Sequence, residues 1–166
     1  MILALHSTAR PATDQDWDGI WAVLEPTIRD RSWFPIPGDF TEAQTRAFWC
    51  RPEHAVFVGE IGGAIVWTYF TCPIHLGGGS HIANAAYAVA QSFFGRGLGH
   101  VMVEHSLRTA RDAGYRAMQY TIVLSTNERA LRLYRKSGFE IVGRTPGGYL
   151  HPVLGYVDTL IMHRVL

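Results

Sequence analysis

The chain has 166 residues, 48% of them hydrophobic and 17% charged, with a formal net charge of +1. That length and balance suit one globular domain spanning residues 1–166, with a sizeable core. A charge so close to zero argues against nucleic acid or a membrane surface as the main partner.

The predicted elements follow in chain order. Ser7–Ala12 reads as a short strand. Thr13 with Asp16 three residues later has capping-box spacing, and Trp17, Ile20, Trp21 and Leu24 recur at helical spacing. A helix is predicted from Asp14 to Asp30 despite Pro26, a residue that can break one. Arg31–Phe40 reads as a loop rich in aromatic residues and proline. Thr41 caps a second helix to Trp49. Ala55–Glu60 and Ala64–Cys72 form a hairpin across Ile61-Gly62-Gly63. Pro73–Ser80 is a glycine-rich loop, followed by a strand from His81 to Ala90.

A third helix is predicted from Gly97 to Ala113, with Leu98, Met102, His105, Thr109 and Ala113 on one face and Gly114 as its stop. Ala117–Leu124 is an apolar strand. Ser125 and Glu128 mark a capping box for a fourth helix ending near Ser137. Strands follow at Phe139–Gly143 and Tyr156–His163, with Thr145–Gly155 between them as a loop. The pattern is a mixed α/β domain. Met1–Leu5 is apolar but too short for a signal peptide, and no stretch approaches the roughly 20 apolar residues of a membrane helix. Cys50 and Cys72 lack metal-ligand spacing and read as free thiols of a reducing compartment. A cytoplasmic protein without a metal is expected.

Chemistry concentrates in Phe94-Gly95-Arg96-Gly97-Leu98-Gly99, a glycine-rich turn between a strand and a helix. Such a turn offers unpaired N–H groups and the positive end of a helix dipole to an anion. A nucleoside triphosphate loop needs Lys and then Ser or Thr after its last glycine, but His100 and Val101 stand there. A dinucleotide fold needs G-x-G-x-x-G, whereas the glycines here run G-x-G-x-G. The third competing reading, a coenzyme A pyrophosphate site, comes with a resemblance.

Here the sequence resembles the Gcn5-related N-acetyltransferase superfamily. Its signature runs Gln or Arg, two residues, Gly, one residue, then Gly or Ala. Gly97 and Gly99 match, and Phe94 departs at the first position. About 30 residues on, Asn127, Ala130, Leu133, Tyr134, Lys136, Gly138 and Phe139 match the second signature. Arg10 to Thr13 and Asp16 match the family's N-terminal pattern.

The resemblance implies a central, mostly antiparallel sheet of six to seven strands, splayed between the fourth and fifth and flanked by about four helices. It implies acetyl-coenzyme A as co-substrate, held by Val89, Phe94, Gly95, Arg96, Gly97, Leu98, Gly99, Asn127 and Lys136. Tyr134 would protonate the departing thiolate, since a phenol with a reference pKa near 10 keeps its proton at neutral pH. The main chain at Val89 would polarise the thioester oxygen. No carboxylate lies on the strand before the loop, so His81 is the candidate base, with water as the alternative. Asn84, Tyr87, His151, Trp33 and Phe34 are candidate acceptor-binding residues.

The expected acceptor is a small amine such as an amino or imino acid, attacking directly in a ternary complex. A homodimer is compatible with the resemblance. A protein N-terminus or lysine as acceptor and a non-catalytic acyl-coenzyme A binding module stay open.

Overall fold

The computed structural model describes residues 7–32, 34 and 36–166. Among these, seven strands form one sheet: β1 (Thr8–Pro11), β2 (Ala55–Ile61), β3 (Ala64–Pro73), β4 (Ile82–Val89), β5 (Ala117–Leu124), β6 (Glu140–His151) and β7 (Gly155–Val165). Four α-helices accompany them: α1 (Trp17–Asp30), α2 (Glu42–Trp49), α3 (Leu98–Asp112) and α4 (Glu128–Lys136). The strand order is β1-β2-β3-β4-β5-β7-β6. Every neighbouring pair is antiparallel except β4 and β5, which meet only at Ile82–Ala117 and Ala83–Met118 and then part. The sheet expected from the resemblance, splayed between its fourth and fifth strands, is the one found. No helix among the described residues is long and apolar enough to cross a membrane.

Two apolar layers cover the sheet. On one face Ile20, Leu24 and Ile28 of α1 and Trp49 of α2 pack with Val58 and Phe70. On the other Val103, Leu107 and Ala110 of α3 and Leu131 of α4 pack with Met118 and Phe139. Strand β4 alternates between them: Ala86 and Ala88 face α1, while Ala83 and Ala85 face α3. The buried stripe of α3 is Leu98, Met102, Val103, Ser106, Leu107 and Ala110. The face drawn through Ala113 drifts off it, and Ala113 is exposed.

The first helix reaches Asp30 as expected, and three other expectations need correction. Pro26 does not break α1, which runs to Asp30. Pro26 and Ala22, whose carbonyl loses its donor, are both exposed, so water can serve that oxygen. A short 3-10 turn, Asp14–Asp16, precedes α1. The cap of α4 is Asn127 and not Ser125; its side chain accepts from the Ala130 N–H at 3.1 Å. Thr145–Gly155 is not a loop. Its first half continues β6 to His151, and Gly155 opens β7. Pro146, Gly147 and Gly148 form a bulge, because the register jumps from Thr145–Thr159 to Tyr149–Val157. The Asp158 carboxylate fills it by accepting from the Gly147 N–H at 2.7 Å and from Arg144. An edge strand tolerates a proline that a central strand would not.

Near β1, Arg10 grips Asp16 through two hydrogen bonds of 2.7 and 2.6 Å and also reaches Glu60. Asp16 further accepts from the Thr13 N–H at 2.6 Å and from its hydroxyl at 2.9 Å. The Arg10 guanidinium, helped by Thr13, holds the Asp16 carboxyl well below the usual carboxylate range. A depressed folded-state pKa contributes stability that is fully present above the unfolded value, about 3.9, and fades as pH falls toward the folded value. Asp16→Asn is therefore expected to lower the melting temperature at pH 7, with the gap to the parent closing below about pH 4. A gap of constant size across a pH series of thermal melts would refute this role.

Candidate active site

Hydrogen-bond parity in β4 aims its backbone. The Ala90 N–H donates to Val66 O at 2.8 Å, and Ile82 O accepts from the Ile74 N–H at 2.8 Å, so even-numbered residues pair with β3. His81 O accepts from the Arg116 N–H at 2.8 Å, so odd-numbered residues point toward β5. Register with β3 runs unbroken from Pro73–Ala83 to Trp67–Val89. Once β5 departs after Met118, the N–H and C=O groups of Ala85, Tyr87 and Val89 turn into the gap. A cleft of about 670 Å³ opens there, lined from both faces of the sheet.

At one end the turn before α3 supplies an anion cradle. Gly95 and Gly97 have φ of 79° and 82°, which L side chains rarely adopt. The backbone N–H groups from Gly95 to Gly99 have no hydrogen-bond partner among the described residues. Gly99 serves packing instead: a Cβ there would meet Leu133 Cδ2 of α4 at 3.2 Å. Phe94, Leu98 and Gly99 line the cleft, while Gly95, Arg96 and Gly97 lie outside its lining. Two guanidinium groups flank the turn. Arg96 lies 4.9 Å from the Phe93 ring centroid, and Arg129 of α4 lies 5.4 Å from that of Phe94. Arg129 also lines the cleft, and the sequence reading missed it. Its place two residues after Asn127, in the first turn of a helix facing the loop, was the available signal.

Tyr134 lines the cleft from α4, packed against Tyr120 at 4.5 Å between ring centroids. Its hydroxyl has no hydrogen-bond partner among the described residues. Burial pushes its pKa well above the ordinary phenol value, so it holds its proton at neutral pH. Asn127 lines the same wall while its Oδ1 caps α4. Tyr87 lines the cleft too, but its hydroxyl is engaged with Ser106 Oγ and Tyr120 OH, each at 2.7 Å. That places the Tyr87 hydroxyl in the layer beneath α3. Asn84 stands on the opposite face of β4, as spacing in an unbulged strand requires.

The other side of the cleft faces α1 and α2. Asn84, Phe34 and His151 all line it. The Asn84 Oδ1 accepts from the Ala85 N–H at 2.9 Å, leaving the amide NH₂ as a donor. His151 Nδ1 accepts from the N–H groups of Val153 and Leu154, each at 3.1 Å, so its proton belongs on Nε2. The Tyr149 hydroxyl donates to Arg31 O at 2.6 Å and ties the β6–β7 hairpin over this side.

Two expected site residues are not brought in. His81 is exposed at the paired foot of β4 and does not line the cleft. Eight residues of strand separate it from Val89, about 26 Å at the usual rise. Lys136 is exposed in the last turn of α4, outside the cleft lining. Trp33 lies outside the described residues.

Comparison with known proteins agrees with this geometry. The acetyltransferase (GNAT) family model matches residues 10–139. A GCN5-related N-acetyltransferase from Kribbella flavida superposes with a TM-score of 0.90 at 29% identity, over 96% of this chain and 98% of that one. A ribosomal-protein-alanine N-acetyltransferase from Brucella melitensis superposes with a TM-score of 0.83 at 22% identity, over 96% and 99% of the two chains, a likeness of fold. The N-acetyltransferase aca1 of Schizosaccharomyces pombe is 27% identical over 99 residues, which are 59% of this chain and 47% of that protein. The chain thus spans about half the length of that curated relative. A splayed sheet, a glycine turn of unpaired N–H groups and a family match covering most of the sequence lead to one conclusion: this chain belongs to the acetyltransferase (GNAT) family.

Proposed function

We propose that the chain is an acetyl-coenzyme A dependent N-acetyltransferase whose acceptor is the amine of a small molecule, such as an amino or imino acid. One observation carries the reading. Leu98 and Gly99, which end the run of unpartnered N–H groups begun at Gly95, line one cleft together with Val89 and Tyr134. When bound, acetyl-coenzyme A supplies an activated thioester.

The residues present fit that group. The Gly95–Gly99 amides and the N-terminus of α3 would hold the pyrophosphate, with no side chain required from Phe94. Arg129 adds a cation where the family signature has Gln or Arg at Phe94. The Val89 N–H faces the gap, placed to stabilise the oxygen that gains charge. Tyr134 gives its proton to the departing sulfur. No Asp or Glu lines the cleft among the described residues, and the Nδ1 lone pair of His151 is engaged. The proton of the amine therefore leaves through water. The two free thiols, Cys50 and Cys72, support a reducing, cytoplasmic setting.

Tyr134→Phe is expected to lower kcat by roughly a hundredfold in a thiol-release assay. Acetyl-coenzyme A affinity by calorimetry should stay within about twofold. Undiminished turnover would remove the general-acid role. Arg129→Ala is expected to weaken acetyl-coenzyme A binding by about tenfold, the scale of one charge-assisted hydrogen bond. Binding of S-acetyl-pantetheine, which has no pyrophosphate, should not change; equal losses on both ligands would mean that Arg129 acts through packing. In the same assay, faster turnover of alanine-led peptides than of free amino acids would move the acceptor to protein N-termini.

A further inference from the structure

The acceptor side of the cleft has a composition of its own. Phe34, Ile36, Phe48 and Phe70 line it. Phe48 and Phe70 meet edge to face at 6.1 Å, and Phe34 packs on Trp49 at 5.9 Å. Across from Phe70 on β4 stands Ala86, which also lines the cleft. A methyl group beside a ring leaves space above the sheet on this face. Polar reach into this space comes from the Asn84 amide NH₂ and His151 Nε2, both donors. No carboxylate lines the cleft among the described residues. Outside the lining, the Arg51 guanidinium lies 4.6 Å from the Phe48 ring centroid.

We infer that the acceptor is an α-amino acid, or a close analogue, with a bulky apolar side group. The side group lies in the Phe34–Phe48–Phe70 chamber, and the carboxylate takes the hydrogen bonds of Asn84 and His151. A cationic side group would have to shed its hydration with no carboxylate to receive it, beside the positive charge of Arg51. An anionic one would face aromatic rings. Glycine would leave the chamber unfilled. Aromatic and branched aliphatic groups match it in shape and polarity. This inference rests on the N-acetyltransferase reading above and narrows its substrate class.

The test measures thiol release from acetyl-coenzyme A by the full chain with L-phenylalanine, L-leucine, glycine, L-lysine and L-glutamate. L-phenylalanine or L-leucine is expected to exceed the other three by roughly tenfold or more in kcat/KM. Phe48→Glu should cut turnover of L-phenylalanine by at least about tenfold and narrow its lead over L-lysine. Phe48→Leu, which keeps the wall apolar, should preserve the ranking and shows that a change at this position is tolerated. Lysine, glutamate or glycine used as well as the apolar amino acids would overturn the inference while leaving acetyl transfer intact. A ranking unmoved by Phe48→Glu would do the same. Release of thiol with none of the five, but with other amines, would also overturn it. Release with no amine at all would overturn the enzymatic reading itself.

Discussion

Two residue pairs hold β4 to β5, and the rest of the site follows from how few they are. A fully zipped parallel pair would spend the main-chain groups of Ala85, Tyr87 and Val89 on β5. Because β5 leaves after Met118, the groups of Tyr87 and Val89 stay available at the centre of the sheet while the Ala85 N–H turns to Asn84 Oδ1, and hydrophobic layers on both sides keep the surroundings of low polarity. Buried backbone donors without partners are costly, so such an edge persists only if something else can occupy it. The cleft is thus a missing stretch of ladder. A ligand with an extended amide-bearing arm is suited to complete it.

The two faces of the sheet divide the work. On the α3 and α4 face lie the phosphate cradle, Arg129 and the phenol of Tyr134. On the α1 and α2 face lie the aromatic chamber and the neutral donors. The passage between the strands joins them. A molecule in either chamber can therefore reach the passage from its own side of the sheet. Burial raises the pKa of the Cys72 thiol to about 11, and no nucleophilic role is assigned to it.

Much of this was legible in the residues, for identifiable reasons. Helical periodicity and Gly114 placed α3, and paired glycines placed the β2–β3 hairpin. The signature residues placed the splay, which no periodicity encodes, because it depends on pairing that fails to occur. Local reading went wrong where a tertiary partner decides. Pro146-Gly147-Gly148 signals a loop until the Asp158 carboxylate, eleven residues on from Gly147, converts it to a bulge. His81 was chosen as the titratable group of a strand without a carboxylate, but strand geometry carries it to the far end of β4. Tyr87 was rightly placed at the cleft, yet its hydroxyl is claimed by Ser106 and Tyr120, contacts between segments remote in sequence. Arg129 was overlooked because a charged residue in the first turn of a helix is ordinarily just solvated surface.

The contact at Gly99 has a mechanical consequence. With no side chain there, the first turn of α3 seats against Leu133, next door to Tyr134. The helix that follows the glycine turn and the helix that carries Tyr134 thereby pack directly on one another. On the other wall, the Tyr149 hydroxyl ties the β6–β7 hairpin to the end of α1 at Arg31. The two walls of the cleft are thus held by separate contacts, and a substitution in one leaves the fastening of the other in place.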